Sequence, residues 1–584
     1  MLFSRKKGER LLPSKVMDRN WWNKRPSHPA WQAPAAEVAS EAGQLINRGT
    51  PPLTDDLFRL FEETGSRQEY EAVYFHRRHR LNTFAFMTLL HPEKKQYKQA
   101  LREEVEDVCS EYSWCLPAHI KDDDPNTIDL FAAETSFALS EMKSILGTEL
   151  GERLCRRIEE EVRGRVLQPF LNHTYHWETA DHNWAAVCAG SVGAAAMHLL
   201  EKGEVLDAVL ERNMRTMDYF LSGFNEDGVC LEGCQYWQYG FVFFVYFADL
   251  LLAETKGRID LFQKEKVHQI ARFQQNAFLY RNKVIPFSDC VPEQSVPLGL
   301  SHYLHQCFCD VTVPDYHLRK PYTADHCARW APLLREWIWL DETLEGREWE
   351  EKDEVMDASQ WVVSRFRSGE DHYAFAAKGG HNDEPHNHND VGHMIMMKNG
   401  EMFLKDLGAG LYQKGYFDEK RYTFITNHAL GHSLPVINGS WQTQGADRKA
   451  VQTKTVQDES HLVYGLELKD TYPVSGLTSF HRTFTWYKKE KPMLEILDAY
   501  ELETPPNGFT EQFILGDLPW KEEEEGVIAA DGMQIRYDPV QLRPVMTREH
   551  FTNHSGRKEF YQLLKLYVHY PPQTGIIKIT FSFS

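Results

Sequence analysis

From about residue 56 to residue 345, apolar positions recur at three- and four-residue steps, the period of an amphipathic helix. In 128–146 (IDLFAAETSFALSEMKSIL), Ile128, Phe131, Leu139, Met142 and Leu146 fall on that spacing or its multiples. Residues 150–171 have the same texture and stop near Pro169. Further helices are expected around 184–202, 204–222, 238–255, 264–280 and 325–340, separated by loops with Gly, Asn and Asp. A succession of helices without interposed strands predicts an all-α domain. Residues 1–55 mix Trp, Pro and charge and read as an irregular capping segment, with TPPLTDD as a turn into a helix.

The period changes after the acidic stretch 341–360, read as the domain joint. Beyond it, WVVSRFRS, HYAFAAKGG, HMIMMKNGEMFLKD, TSFHRTFTWYK, PMLEILDAYELE and GIIKITFSFS carry a period of two. Many short strands with turn signals predict an antiparallel β-sandwich. The expected division is 1–55, 56–345 and 346–584, and 584 residues are more than one core normally supports.

A net charge of -20 argues against a general binder of nucleic acid or anionic membrane. It leaves an acidic substrate open, because a local cleft can differ from the whole. The 10 Cys are scattered without a CxxC pair, so neither a disulfide scaffold nor a thiolate zinc site is expected. The apolar run 241–253 is too short to span a bilayer and reads as a buried core helix. The basic first residues lack the apolar stretch of a signal peptide, so a cytoplasmic location is expected.

The densest candidate chemistry is 381-HNDEPHNHND-390. His386 and His388 stand two apart, which in an extended segment sends both side chains to one face. With Asp406 and His428 downstream they make a plausible set of ligands for zinc or a similar divalent ion. Asp390, His393 and His432 are alternative ligands, and the bland alternative is a polar surface loop. In 176–190, Asp181, His182 and Asn183 precede a small-residue helix and also suit a simple helix cap, with Trp184 packing inward. In 227–241, Glu232 is followed by Tyr236 and Tyr239 on one face of a starting helix, which also suits a core. Together these groups suit β-elimination on a uronic acid. An amide stabilises the enolate-like intermediate, a His or Tyr takes the C5 proton, and a Tyr protonates the leaving oxygen. No GxGxxG or P-loop is present.

HNHNDVGHM, LKDLGAG, TNHAL, the HNW of 182–184 and EGCQYWQYG resemble the heparinase II/III-like polysaccharide lyases, in both halves of the chain, and the C-terminal HxHxD…D-x-G…H pattern is the most specific part. The wording around WCLPAHI and IDLFAAETS is closest to broad-specificity glycosaminoglycan lyases. The resemblance implies an N-terminal incomplete (α/α) toroid, a C-terminal antiparallel β-sandwich and an acidic polysaccharide substrate such as a glycosaminoglycan or alginate. It implies Asn183 as the carboxylate-neutralising amide with His182 beside it, Tyr236 as the catalytic tyrosine with Tyr239 as fallback, and His386 as the catalytic histidine. It implies His388, Asp406 and His428 as ligands of a mainly structural metal, zinc first, with manganese or calcium open. DHNW departs from relatives in which an Asn-His pair precedes Gly, so His182 and Asn183 are partly interchangeable.

For substrate contact the candidates are Glu232, Tyr239, Trp441, Gln442 and the basic run with His76, Arg77 and Arg80, whose arginines suit a solvated helix face equally well. The expected partner is an acidic poly- or oligosaccharide, with the chain a monomer or homodimer. Competing readings are an oligoalginate lyase of the same mechanism and a glycoside hydrolase on a helical toroid using Asp181, Asp227 and Glu232. A cupin-type metal enzyme and a non-catalytic sugar-binding protein are the others.

Overall fold

The structure, a computed structural model, describes residues 11–121 and 124–584. Helices occupy the N-terminal half, among them Gln68–Leu90, Leu130–Leu150, Asn183–Leu199, Glu204–Ser222, Cys234–Thr255 and Trp330–Trp339. The second of these starts just after Asp129, whose carboxylate accepts from the Ala132 amide at 2.8 Å and so fixes the helix start. Thr54 likewise caps Asp55–Thr64, matching the turn expected at TPPLTDD.

Residues 1–55 are not irregular throughout. Pro29–Leu45 is a helix of 17 residues whose Trp31, Pro34, Val38, Ala42 and Leu45 are buried at steps of three and four. Pro29 opens the helix, where a missing N–H costs nothing, so a proline-rich stretch still forms a helix. Cys234–Thr255 has the length and composition of a membrane span, yet 67% of its most apolar window is buried inside the protein. Phe241, Phe244, Val245, Phe247, Leu250 and Leu251 are fully enclosed there, as a core helix requires.

The C-terminal half is strand-rich and antiparallel. One sheet of eight strands includes His461–Glu467, Leu477–Tyr487, Met493–Leu502 and Thr574–Phe583. Another of nine includes Trp361–Ser368, Asp371–Lys378, Met394–Lys398, Phe509–Leu515 and Lys558–Val568. Alternating side chains from both sheets share one core. Phe375 of the second sheet lies 5.7 Å, ring to ring, from Trp486 of the first, and Phe513 lies 5.1 Å from Phe581.

The chain divides into two compact units that do not follow its order. The first runs to Phe224 and takes in Gln238–His268 and Ser295–Arg347. The second gathers Asn225–Trp237, Gln269–Gln294 and Glu348–Ser584. Two short segments from the helical half therefore belong to the strand-rich unit, and the helix Cys234–Thr255 serves both.

In the helical unit, Glu141 is wholly enclosed. It accepts from both terminal nitrogens of Arg335, at 2.6 and 2.8 Å, and from the Trp330 indole at 2.9 Å. Burial alone would raise its pKa. The Arg335 charge, with His198, overcomes this and holds it at about 2. A carboxyl lowered in the folded state stabilises above its unfolded value and loses that contribution as pH falls. The difference from the ordinary value of 4.5 corresponds to about 3 kcal/mol at neutral pH, lost between about pH 4.5 and 2. Glu141→Gln is expected to lower stability by about 3–5 kcal/mol at pH 7, because Arg335 is left unpaired, and to flatten the acid dependence. Urea unfolding of both proteins between pH 3 and 7 measures it; parallel pH dependence would refute this account of Glu141.

Candidate active site

Between strands Asp371–Lys378 and Met394–Lys398 the chain is extended at His381–Asn382 but not at His386. His386 sits at φ +55°, a left-handed conformation that costs a non-glycine residue of order 1–3 kcal/mol. Its neighbours hold it there. Arg421 Nε donates to the Asn387 carbonyl at 2.9 Å, and Asn387 Nδ2 donates to the Tyr422 hydroxyl at 3.1 Å. The Asn389 amide donates to the Asn427 carbonyl at 3.0 Å. Beneath the loop, the enclosed Lys378 ammonium pairs with Asp390 at 2.8 Å and Glu384 at 3.2 Å.

The twist sends both histidines to a single carboxylate, Asp289, from the FSDC segment that follows the helix Glu265–Ala277. His386 Nδ1 is 2.7 Å from Oδ2, and His388 Nε2 is 3.0 Å from Oδ1. The Tyr416 hydroxyl donates to Oδ1 at 2.7 Å and Arg421 Nη2 to Oδ2 at 3.0 Å. Burial opposes the charge on Asp289, but the two histidine hydrogen bonds and the Arg421 charge hold the carboxyl far below its usual range. An ionised Asp289 accepts only, so each histidine must present a protonated nitrogen to it. That sets both tautomers: His386 keeps Nε2 as its outer atom, and His388 keeps a bare Nδ1.

His388 Nδ1 is buried and has no hydrogen-bond partner among the described residues, and the same is true of His432 Nδ1 and Asp406 Oδ2. His432 turns its other nitrogen to the Thr426 carbonyl at 3.0 Å, and Asp406 Oδ1 accepts from the Gly408 amide at 2.7 Å. Asp406 Oδ2 lies 3.6 Å from His432 Nδ1. Two groups with donor atoms mutually within 4.8 Å share His432: one with His388 and Asp390, one with His393 and Asp406. Asp390 is already paired with Lys378. His393 Nδ1 accepts from the Ser433 amide at 2.9 Å, and its Nε2 lies 3.2 Å from Asp406 Oδ2. By ligand type either group fits a zinc-like ion: His432 with His388 and Asp390, or His432 with His393 and Asp406.

Tyr236, at the start of the helix Cys234–Thr255, completes the cluster. Its ring lies 4.2 Å from the His386 ring at 36°, and its hydroxyl is 2.8 Å from that of Tyr412. Burial pushes the Tyr236 hydroxyl well above the ordinary phenol range, so it stays protonated. Glu232 Oε2 stands 3.3 Å from His386 Nε2.

No family model matches this chain, and no curated protein matches it. Solved structures do. A heparinase III is similar with a TM-score of 0.64 and 12% identity, over 96% of this chain and 92% of that one. A heparan sulfate lyase HepC mutant from Pedobacter heparinus gives 0.63 and 11%, over 98% and 93%. A chondroitin AC lyase from Streptomyces coelicolor A3 gives 0.51 and 11%, over 97% and 82%. The fold is that of the heparinase-like polysaccharide lyases. At these identities the likeness is one of fold, and the site rests on its own geometry.

That geometry brings together Tyr236, Glu232, His386, His388 and Asp406, but not every expected residue. His428 is not in the metal cluster. Its Nδ1 accepts from the Leu430 amide at 2.9 Å and caps the turn Ala429–Gly431, while its ring packs 5.6 Å from Trp441. The turn that His428 caps brings His432 into the position expected of it. Tyr239 donates to Glu134, which also binds Arg329 at 2.8 Å, so the two tyrosines serve different clusters.

Arg80 and Arg77 are not on a solvated face. Arg80 is buried against Glu104 at 2.7 Å and the Leu45 carbonyl at 2.8 Å, and Arg77 against Glu111 at 2.7 Å. Gln442 is also interior, donating to the Val391 carbonyl at 2.7 Å and accepting from Asn382 at 3.1 Å. These three side chains spend their polar groups on the fold, which removes them as substrate contacts. Trp441 packs on His428 and is half-buried. Asn183 opens the helix Asn183–Leu199, 8% exposed, and its amide makes no hydrogen bond among the described residues. His182 stands at the N-cap position of that helix, with no capping hydrogen bond from its side chain, and is half-buried.

Asp289, Tyr412, Tyr416 and Arg421 have no counterpart in the sequence reading. Only the acid and basic residue types themselves hinted at them, since Asp289 is 97 positions from His386. His432→Ala is expected to remove a bound divalent ion and His428→Ala to retain it. Metal content after dialysis, by mass spectrometry, checks this; the opposite order would restore His428 as a ligand.

Proposed function

We propose that this chain is a polysaccharide lyase that cleaves uronic-acid-containing glycosaminoglycans by β-elimination, on an incomplete (α/α) toroid joined to a β-sandwich. The observation that carries the reading is a phenol and an imidazole in ring contact, Tyr236 and His386, with the imidazole oriented by a buried carboxylate. The fold likeness to polysaccharide lyases supports it independently.

In this reading the C5–H and C4–O bonds of the uronate break and a C4=C5 double bond forms. His386 is the base: Asp289 holds the proton on Nδ1, which leaves Nε2 to take the C5 proton. The imidazolium that results lies between Asp289 and Glu232, and both carboxylates stabilise it. Tyr236, kept protonated by burial, gives its proton to the leaving C4 oxygen, and Tyr412 is placed to hydrogen-bond the phenolate that remains. The resemblance gives Asn183 the amide role, which is to neutralise the charge that builds on the substrate carboxyl. A divalent ion on His432 with either His388 and Asp390 or His393 and Asp406 would be structural, fixing the loop that presents His386.

The glycoside hydrolase alternative is weaker. Asp227 accepts from the Ser359 amide at 2.7 Å and the Ser359 hydroxyl at 2.8 Å, which ties one of its three candidate carboxylates to the fold. Oligoalginate remains a substrate for the same chemistry.

Incubation with hyaluronan, chondroitin, heparan sulfate and alginate is expected to produce ultraviolet absorbance from the conjugated product with at least one of them. Silence with all four, while sugar chains shorten, would favour hydrolysis. Tyr236→Phe is expected to lower kcat by about 10²–10⁴-fold. Tyr239→Phe is expected to retain chemistry at Tyr236; the reverse pattern would overturn the assignment of the acid.

A further inference from the structure

Two loops that carry candidate metal ligands are tied together by a side chain that belongs to neither. Arg482 stands on the strand Leu477–Tyr487, wholly enclosed within the strand-rich unit. Its Nη1 donates to two carbonyls, that of Gly392 at 3.1 Å and that of Ser433 at 3.0 Å. Gly392 lies between Asp390 and His393, and Ser433 follows His432. Asp390, His393 and His432 therefore each lie within two positions of a carbonyl that this guanidinium holds.

The other nitrogens anchor the guanidinium. Nε donates to Asp498 at 2.9 Å, and Nη2 donates to Asp498 at 2.6 Å and to Glu511 at 3.0 Å. Asp498 is the register partner of Arg482 on the next strand, and Glu511 comes from the other sheet. All five N–H donors are spent, in a fork that no other side chain offers. Burial and the Asp498 charge push the Glu511 carboxyl well above its ordinary range, so it keeps its proton. One cation and one ionised acid then balance, and the mount is both neutral and fully bonded.

Each loop is set by the carbonyl through which it is held. The Ser433 amide donates to His393 Nδ1 at 2.9 Å, and the Ser433 hydroxyl accepts from the Ile514 amide at 3.0 Å. The place of Ser433 thus orients the His393 ring as well as the neighbouring His432. Gly392 sits at φ +89°, and a Cβ there would lie 2.7 Å from Leu468 Cδ1, so only glycine allows this approach.

We infer that Arg482 is a positioning residue for metal binding: it fixes the loop with Asp390 and His393 against the loop with His432. The inference rests on the metal reading of these loops and needs no substrate. Groups that orient ligands from outside the coordination sphere carry about 10–100-fold of metal affinity.

The test measures the Kd of the full-length protein for zinc at neutral pH, by competition with a chromophoric chelator. Arg482→Lys is expected to raise Kd about 10–100-fold, because one ammonium cannot span two carbonyls and two acids. Glu511→Gln keeps the shape and neutrality of the protonated acid and is expected to leave Kd unchanged. Glu141→Gln, which destabilises the helical unit, is also expected to leave it unchanged, and so separates positioning from a general loss of stability. Asp498→Asn, which loosens the guanidinium, serves if Arg482→Lys fails to fold, and is expected to weaken zinc binding in the same direction. Zinc affinity of the folded variant equal to that of wild type overturns the inference. An equal loss in Glu141→Gln overturns it too, and so does a wild type that takes up no zinc. Zinc binding that depends on Arg482, without ultraviolet product from any polysaccharide, overturns the lyase reading and leaves the role of Arg482 standing. Product formation with a zinc Kd indifferent to Arg482 does the reverse.

Discussion

One carboxylate organises the candidate site. Asp289 is enclosed, ionised and surrounded by four donors, and no donor in the set serves it alone. His386 gains an orientation from it and presents Nε2 outward. His388 gains a tautomer from it and presents a bare Nδ1 inward. Arg421 also grips the Asn387 carbonyl, so the same ion pair that neutralises Asp289 holds the backbone between the two histidines. Removal of Asp289 would leave the Arg421 charge uncompensated in a low-dielectric interior and free both imidazoles to rotate.

This explains how two histidines only two positions apart present different ring nitrogens to one carboxylate. In a flat strand both would point one way and compete for one partner. The left-handed backbone at His386 lets the rings approach opposite oxygens of one carboxylate from different sides. The cost of that conformation is met by the contacts of Arg421, Asn387 and Asn389, all of which are polar and enclosed. Buried polar networks of this kind are stable only when every member is satisfied, and atoms left without a hydrogen bond on His388, Asp390, His393, Asp406 and His432 fall into two groups that share His432, each suited to a cation by ligand type.

Charge is handled by a common device in both units. Glu141 with Arg335, Lys378 with Asp390 and Glu384, and Arg482 with Asp498 and Glu511 are each enclosed and multiply hydrogen-bonded. The arginines expected to meet substrate, Arg77 and Arg80, belong to this class too. A basic run on a helix reads as a solvated face only while its acidic partners, Glu104 and Glu111, are out of view.

By itself the sequence determined what depends on local period and residue type. The 3.6 and 2.0 periodicities separate a helical half from a strand-rich half, because burial of one face demands them. The cluster 381–390 was legible because so many titratable groups without apolar neighbours have no other use. The tertiary structure decided what depends on distance through space. It groups His432 and not His428 with buried histidines and acids, because a capped turn lies between them, and it gives the Tyr236 and Tyr239 hydroxyls different partners. It assigned 225–237 and 269–294 to the strand-rich unit, which is how Glu232 and Asp289 come to stand beside His386. No spacing rule reaches across such separations, since the chain between them is free to vary while the contact stays the same.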